Sequence, residues 1–383
     1  MRNKNYLNSA GSSIMSDRTV SIITDYLKLE QKIGGYECMS VKQAEFDLFY
    51  ERTAQLINAA SVDEIAYTDG GSRGWNALIN GMDMNLIDSI ITLSSEYTTN
   101  ITTLQLCADK NDKDLHIIPC DLNGDFDIHE IERIANTERC CIAISQATAQ
   151  GSICNPVRQI GQIAKSTLSI YIVDATQSIG QIPIDVQELQ CDALTATGRK
   201  WLRGPRGTGF IYVKDGSPFN TCTVDGSSAT MQVTKEKISV KLIKTARQFE
   251  MWERNYGLML GLSNAIQEYI DQAVQSVHDS IRSHANAIRA AIVANDHLQL
   301  VGKPDSKSGI VGILSRSEAI HNEVVRQFQE NDITVNLMYD WACPLFFDKP
   351  TSLIRLGVHH DVDTKHLAKV VDVIAGIGQM DLA

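Results

Sequence analysis

The sequence of 383 residues has no Lys/Arg-rich run: 35 Lys and Arg stand against 46 Asp and Glu, a formal charge of −11. Neutralising phosphates requires clustered cations, so nucleic acid and anionic membranes are excluded as partners. No stretch reaches the roughly 18 apolar residues of a membrane span. The opening Met1-Arg2-Asn3-Lys4-Asn5-Tyr6-Leu7-Asn8 has no apolar run resembling a signal peptide. Nine cysteines, an odd number without a Cys-x-x-Cys spacing, argue against a disulfide framework or a zinc knuckle and for reduced thiols. A cytoplasmic protein is expected. Internal repeats and low-complexity tracts are also missing. With 43% hydrophobic and 21% charged residues, the chain has the composition of a folded globular protein. Its length allows two or three compact units.

Between Val62 and Val213, short apolar runs alternate with amphipathic stretches. Strands are expected at Glu64–Tyr67, Ser89–Leu93, Leu115–Ile118, Cys141–Ser145, Ser169–Val173, Ala193–Ala196 and Gly209–Val213. Several are rich in Ile and Val without polar alternation, as suits strands covered on both faces. Helices are expected at Arg73–Gly81, Thr98–Asp109, Asp127–Thr137 and Pro156–Ser166, the last opening on a proline suited to a first turn. This alternation predicts a three-layer α/β domain on a mostly parallel or mixed sheet. A proline-free helical stretch from about Thr245 to Val293, broken near Ser276, follows. Strands at Gly309–Leu314, Ile333–Leu337 and Ser352–Val358, with helices at Glu318–Glu330 and Thr364–Ile374, then make a small α+β unit. The expected division is a large domain over 16–250 and a smaller one over 251–383 that also takes in residues 1–15.

Chemistry concentrates in Tyr171-Ile172-Val173-Asp174-Ala175-Thr176-Gln177 and in Thr195-Ala196-Thr197-Gly198-Arg199-Lys200, with Gly204-Pro205-Arg206-Gly207 just beyond. A buried strand ends on Asp174, a second ends at Thr195–Thr197, and Lys200 follows. Ligands of open α/β sheets bind where strands end. A carboxylate and a lysine at two strand ends suit pyridoxal phosphate: the lysine forms a Schiff base with the aldehyde, and the acid keeps the pyridine nitrogen protonated. Taken singly, such an Asp caps a helix and such a Lys is solvated. The spacing of the pair carries the signal.

These motifs resemble the class V aminotransferase family, which includes cysteine desulfurases, selenocysteine lyases and isopenicillin N epimerase-like enzymes. The resemblance runs over most of the chain: Tyr6-Leu7-Asn8-Ser9-Ala10-Gly11 resembles the family's opening segment, Thr68-Asp69-Gly70-Gly71-Ser72-Arg73-Gly74 its phosphate loop, and Leu353-Ile354-Arg355-Leu356 its C-terminal arginine strand. It implies a PLP-dependent transferase of fold type I, usually a homodimer. It also implies Lys200 as the Schiff-base lysine, Asp174 as partner of the ring nitrogen, Gln177 as donor to the phenolic oxygen, and Arg355 as binder of the substrate α-carboxylate. Backbone N–H groups of Gly71 and the Ser72 hydroxyl at a helix start suit a phosphate, although a Gly-Gly-Ser turn alone is only a helix cap. Thr197 adds a second hydroxyl and Arg199 a charge.

Tyr97 stands where many relatives carry a ring-stacking histidine. An aromatic supplies the same flat face, and core packing is an equal alternative. In Thr148-Ala149-Gln150-Gly151 the family pattern is not kept, leaving Thr148 and Gln150 as candidate cofactor contacts. Arg355, charged within an apolar strand, needs an anionic partner, either substrate or a structural salt bridge. His359-His360-Asp361-x-Asp363 reads as a loop leading into a helix capped by Asp363 rather than a metal site.

Once the substrate amine displaces Lys200, the freed amine is a general base beside the α-carbon. The Arg247–Glu253 segment and Tyr256 resemble the lyase and epimerase side of the family. The first expectation is therefore a carbon–sulfur lyase performing β-elimination on a cysteine-derived amino acid. Alternatives are an epimerase or aminotransferase, a cysteine desulfurase using Cys343, and a non-catalytic partner subunit. The first desulfurase requirement, a reactive thiol on a mobile loop, is weakly matched by Trp341-Ala342-Cys343-Pro344-Leu345. Gly34–Ser40 and Val224–Thr230 are expected as loops that set side-chain preference.

Overall fold

The structure, a computed structural model, describes residues 5–235, 237–347 and 352–379; positions 1–4 of the opening segment and 380–383 of the expected small unit lie outside them. Two helices come first, α1 (Asp17–Ile33) and α2 (Gly35–Ile57). Ser16 caps α1 by accepting from Thr19 N. The expected loop at Gly34–Ser40 is corrected: Gly34 alone separates the helices, with φ of +95° that a side chain would resist.

A seven-stranded sheet follows, from β1 (Ile65–Thr68), β2 (Ser89–Leu93), β3 (Asp114–Ile118), β4 (Cys140–Ser145), β5 (Ile170–Asp174), β6 (Ala193–Thr197) and β7 (Gly209–Val213). The order is β1-β7-β6-β5-β4-β2-β3. β2 to β6 run parallel, and β7 is antiparallel to both its neighbours. The intervening helices are α3 (Gly71–Gly81), α4 (Thr98–Asn111), α5 (Ile128–Thr137), α6 (Val157–Thr167) and the short α7 (Val186–Leu189).

Period-2 alternation divides the strand residues between two layers. Ile90, Ala143, Ile172 and Ile211 pack with Trp75 and Leu78 of α3 and Leu104 of α4. Ile91, Ile142, Val173 and Leu194 pack with Ile131 of α5, Ile160 of α6 and the N-terminal helices. Both faces are covered, which is why the runs carry no polar alternation.

Beyond β7, β8 (Ala229–Val233) and β9 (Ile238–Leu242) form a hairpin for which the sequence gives no expectation. The expected helix from Thr245 starts later, as α8 (Tyr256–Asp271), capped by Asn255. Glu250 is the reason: its buried carboxylate accepts from Tyr67 N at 2.7 Å and pairs with Arg254 at 2.6 Å, holding 250–255 out of helix. The break before α9 (Val274–Val293) falls at Ala273, φ +57°, not at Ser276. α8 packs with Met259, Leu262 and Ile266 in the layer that holds α1 and α2.

The C-terminal part adds β10 (Leu298–Val301), β11 (Ile310–Ser315), α10 (Glu318–Glu330), β12 (Asn336–Tyr339), β13 (Ser352–Gly357) and α11 (Thr364–Gly376). Its antiparallel sheet has the order β10-β11-β13-β12. α9 and α11 cover it through Ala285, Ile288, Ile292, Val370 and Ile374. Asp363 caps α11 by accepting from His366 N at 2.9 Å. Among the described residues no helix is long and apolar enough to cross a membrane.

Candidate active site

Parallel strands end side by side, and the ends of β4, β5 and β6 carry Ser145, Asp174 and Thr197. The register pairs Ser145 with Asp174 and Asp174 with Thr195. A cleft of about 310 Å³ opens there, lined by Asp174, Gln177, Thr197, Arg199, Lys200, Tyr97, Gly71, Ser72 and Arg355 among others. One cleft thus holds nearly all of the expected positions.

Lys200 is buried, and its amine makes no hydrogen bond or ion pair among the described residues. Burial first, then the Arg199 and Arg355 charges, push its pKa well below the usual lysine value, with Asp174 opposing. The shift is toward the neutral amine, the nucleophilic form. Asp174 Oδ1 accepts from Thr176 N at 2.7 Å, and Oδ2 accepts from Asn100 Nδ2 at 2.9 Å.

Gln177 Nε2 donates to Ala10 O at 3.1 Å, and its Oε1 accepts from Trp201 Nε1 at 3.1 Å. One amide hydrogen is left to face the cleft. The Thr197 hydroxyl donates to Thr208 O at 3.2 Å, so it reaches an anion only by turning. Arg199 Nη1 donates to Gly11 O, and burial with the nearby Arg206 charge lowers its pKa.

α3 starts at the cleft, presenting Gly71 and Ser72 in its first turn. A Cβ at position 71 would lie 2.1 Å from Thr176 Oγ1, so only glycine allows this approach. Tyr97, half-buried, lines the cleft and also packs against the cluster of Ala149, Ile153 and Met338; both expected roles are compatible with its place.

Arg355 lies in the small sheet between Gly312 of β11 and Asn336 of β12. Its Nη1 donates to Ala149 O at 3.0 Å and its Nε is buried without a partner. Among the described residues no carboxylate pairs with it, so the salt-bridge alternative is not realised. Burial pulls its pKa down to about 10.

Three candidates lie off the cleft: Thr148, Gln150 and Cys343. The wall at 147–149 is formed by Ala147 and Ala149, while Thr148 and Gln150 are not part of the lining. Gln150 Nε2 donates instead to Ser95 O at 3.1 Å, and Thr148 is buried with its backbone N donating to Ile153 O at 3.2 Å. Cys343 is 1% exposed and its thiol donates to Gln150 Oε1 at 3.1 Å; burial pushes the thiol pKa up strongly. The segments 34–40 and 224–230 do not line the cleft either.

The sequence reading missed Asn100, Ser145, Thr176, Arg73 and the Ala10-Gly11 backbone, all of which line the cleft. It also missed Glu96, which sits behind Asn100. The one available signal was a polar pair, Glu96 just before and Asn100 just inside a helix start.

The residues fit pyridoxal phosphate. They offer an unpaired buried amine, a carboxylate across the cleft, a helix N-terminus approached through glycine, and a buried guanidinium nitrogen lacking an acceptor. The aminotransferase class-V family model matches residues 5–337. The chain belongs to that family. Among its relatives are a cysteine desulfurase of Enterobacter sp. (strain 638), 26% identical over 82% of this chain and 78% of the relative. A probable cysteine desulfurase of Methanothermobacter thermautotrophicus is 23% identical over 99% of this chain and 96% of its own length. The cystine C-S lyase C-DES, solved with its product cysteine persulfide, superposes with a TM-score of 0.85 at 20% identity, covering 98% of both chains. The apo cysteine desulfurase of Thermococcus onnurineus NA1 gives 0.85 at 20% identity, covering 98% of this chain and 94% of that one. The expected fold type is thereby found: a large three-layer α/β part followed by a smaller α+β part. As a class-V family member the protein is a PLP-dependent enzyme.

Proposed function

We propose that this enzyme cleaves the carbon–sulfur bond of a cysteine-derived amino acid by β-elimination. The observation that carries the reading is a buried amine, Lys200, with no hydrogen bond or ion pair among the described residues, and a buried guanidinium, Arg355, with its Nε open, both facing one cleft with Asp174. Pyridoxal phosphate, when bound, supplies an aldehyde for the substrate amine and a ring that accepts the electron pair left at the α-carbon.

In this reading Arg355 takes the substrate α-carboxylate on its free Nε. Lys200, whose burial shifts it toward the neutral amine, would be the base that takes the α-proton and the acid that gives a proton to the departing sulfur. Asp174 keeps the ring nitrogen protonated. Gly71 and Ser72, with Thr197 and Arg199, would hold the phosphate at the start of α3, and Gln177 would offer its remaining hydrogen to the phenolic oxygen. Tyr97, in the cleft wall, would be the aromatic available to the ring face. Thr148 supports the wall without touching the ligand.

The relatives named cysteine desulfurase favour a second reading, in which Cys343 accepts sulfur. Burial of that thiol and its raised pKa support elimination instead, because sulfur acceptance needs an accessible thiolate. Incubation with cysteine, cystine and cysteine thioethers decides. Pyruvate and ammonia are expected, with Cys343→Ser keeping the rate within about twofold, as a residue outside the chemistry should. Alanine as product, with persulfide trapped on Cys343 and lost in Cys343→Ser, would overturn it.

We further divide the chain into a large unit over 16–250 and a smaller one over 251–383 with 1–15, α8 lying against the large one. A cytoplasmic homodimer is proposed. Nine free thiols support the compartment. The exposed Met231, Val233, Ile238 and Val240 of the hairpin support a second copy, which light scattering would test.

A further inference from the structure

Behind the cleft floor lies a buried polar chain that the proposed reaction does not use. Glu96 is 0% exposed, Asn100 2% and Ser145 5%. The Glu96 carboxylate accepts from Ser145 N on Oε1; its Oε2 accepts from Ser145 Oγ at 2.7 Å and from Asn100 Nδ2 at 2.9 Å. The same Asn100 nitrogen donates to Asp174 Oδ2 at 2.9 Å. Three elements meet here: the start of α4, the end of β4 and the end of β5.

An asparagine amide can turn either its carbonyl or its NH₂ toward a neighbour. Once ionised, the Glu96 carboxylate is acceptor-only and admits only the NH₂ of Asn100, the orientation seen in the structure. That orientation gives Asp174 a donor instead of a repelling carbonyl oxygen. With Thr176 N on the other oxygen, the Asp174 carboxylate is fixed on both sides.

Resting on the cofactor reading above, we propose that Glu96 is a positioning residue: through Asn100 it fixes the Asp174 carboxylate as the acceptor for the cofactor's ring nitrogen. Glu96→Gln makes the sharpest test. Its new NH₂ faces either Ser145 N or Asn100 Nδ2, donor against donor, and the second clash flips Asn100 so that its carbonyl confronts Asp174. Burial raises the Glu96 pKa to about 7, against hydrogen bonds from Ser145 and Asn100 that lower it, and the Asp174 charge adds to the rise. Cys343 is the other titratable group coupled to it.

The experiment titrates apo protein with pyridoxal phosphate, recording Kd and the absorbance maximum of the bound cofactor. The proteins are wild type, Glu96→Gln, Asn100→Ala and the double variant, each with a thermal midpoint measured without cofactor. Each single substitution should weaken binding about 10-fold and move the absorbance maximum, consistent with loss of one hydrogen bond to a charged group. The double variant should be no worse than the weaker single one, because both break one path. A purely structural role would lower the midpoint and leave the spectrum of bound cofactor unchanged, and that result overturns the proposal. Unchanged Kd and spectrum in either single variant also overturn it; should Glu96→Gln fail to fold, Asn100→Ala decides alone. If the wild-type protein itself gives no bound-cofactor absorbance, the cofactor reading falls and this inference with it.

Discussion

Two hollows in this molecule invite comparison. The cleft at the ends of β4 to β6 is about 310 Å³, whereas a groove bordered by Asp125, Arg158, His278 and Lys303 is about 940 Å³. In the larger one two ion pairs stand in water: Lys303 pairs with Asp125 at 2.5 Å and Arg158 with Glu188, with each side chain about half exposed or more. In the smaller one, among the described residues, buried Lys200 has no hydrogen-bond or ion-pair partner, and buried Arg355 meets a backbone carbonyl through Nη1 but no carboxylate, its Nε being left open. Exposed ion pairs contribute about 0–1 kcal/mol and ask nothing of a ligand. Buried unpaired cations are costly until something neutralises them. Want of a partner, not volume, distinguishes a site.

Breaking the contrast at its centre should have the largest effect. Lys200→Ala should abolish the Schiff-base absorbance and reduce turnover at least about 10³-fold, since both nucleophile and base are lost. Next comes Arg355→Ala, for which kcat/KM should fall about 100-fold through loss of the carboxylate partner. Arg355→Lys should recover part of this; full activity in the alanine variant would show that the guanidinium answers no substrate.

A subtler effect comes from the floor of the cleft. The Glu96 carboxyl is held up to about 7, above its ordinary 4.5, so the folded protein keeps a proton that the unfolded chain releases between those values. Its contribution to stability is complete below pH 4.5 and is lost as pH rises to about 7, on the order of 3 kcal/mol. His359, depressed to about 3 by burial, slopes the other way. The difference between apo wild type and Glu96→Gln in denaturant melts from pH 4.5 to 7.5 isolates the first. Coincident pH slopes would mean that Glu96 titrates normally. Least of all should change in the groove: Lys303→Ala should alter stability by less than about 1 kcal/mol and leave turnover alone. A loss of activity there would erase the distinction between the two hollows.

The large sheet was legible because its strands are buried on both faces, so that Ile170–Asp174 and Cys140–Ser145 read as unbroken apolar runs. Asp174 and Lys200 were legible because they terminate or follow such runs. The hairpin β8–β9 was not: its residues are mostly exposed, and Ala229–Val233 shows no buried face for a pattern to report. The late start of α8 depends on Glu250 meeting Tyr67, a contact across 183 positions that no local pattern announces. Thr148 was misplaced for a simpler reason. Thr148 and Gln150 were the candidates, but which residues of the segment line the cleft depends on its tertiary pairing, Ala147 with Cys154, which no local pattern announces. Glu96 and Asn100 escaped notice because a polar pair at a helix start ordinarily faces water, and only the fold encloses this one.

The segment around residue 10 has a consequence for how the protein is made. Leu7 and Ser9 hydrogen-bond to Thr334 and Gly357, and the same stretch receives Gln177 on Ala10 and Arg199 on Gly11. A ribosome delivers the amine at 200 and the acid at 174 well before the strands that anchor this wall. Until Gly357 emerges the cavity lacks one side, so cofactor loading is expected to be a post-translational event, restricted to chains whose C-terminal sheet has already formed.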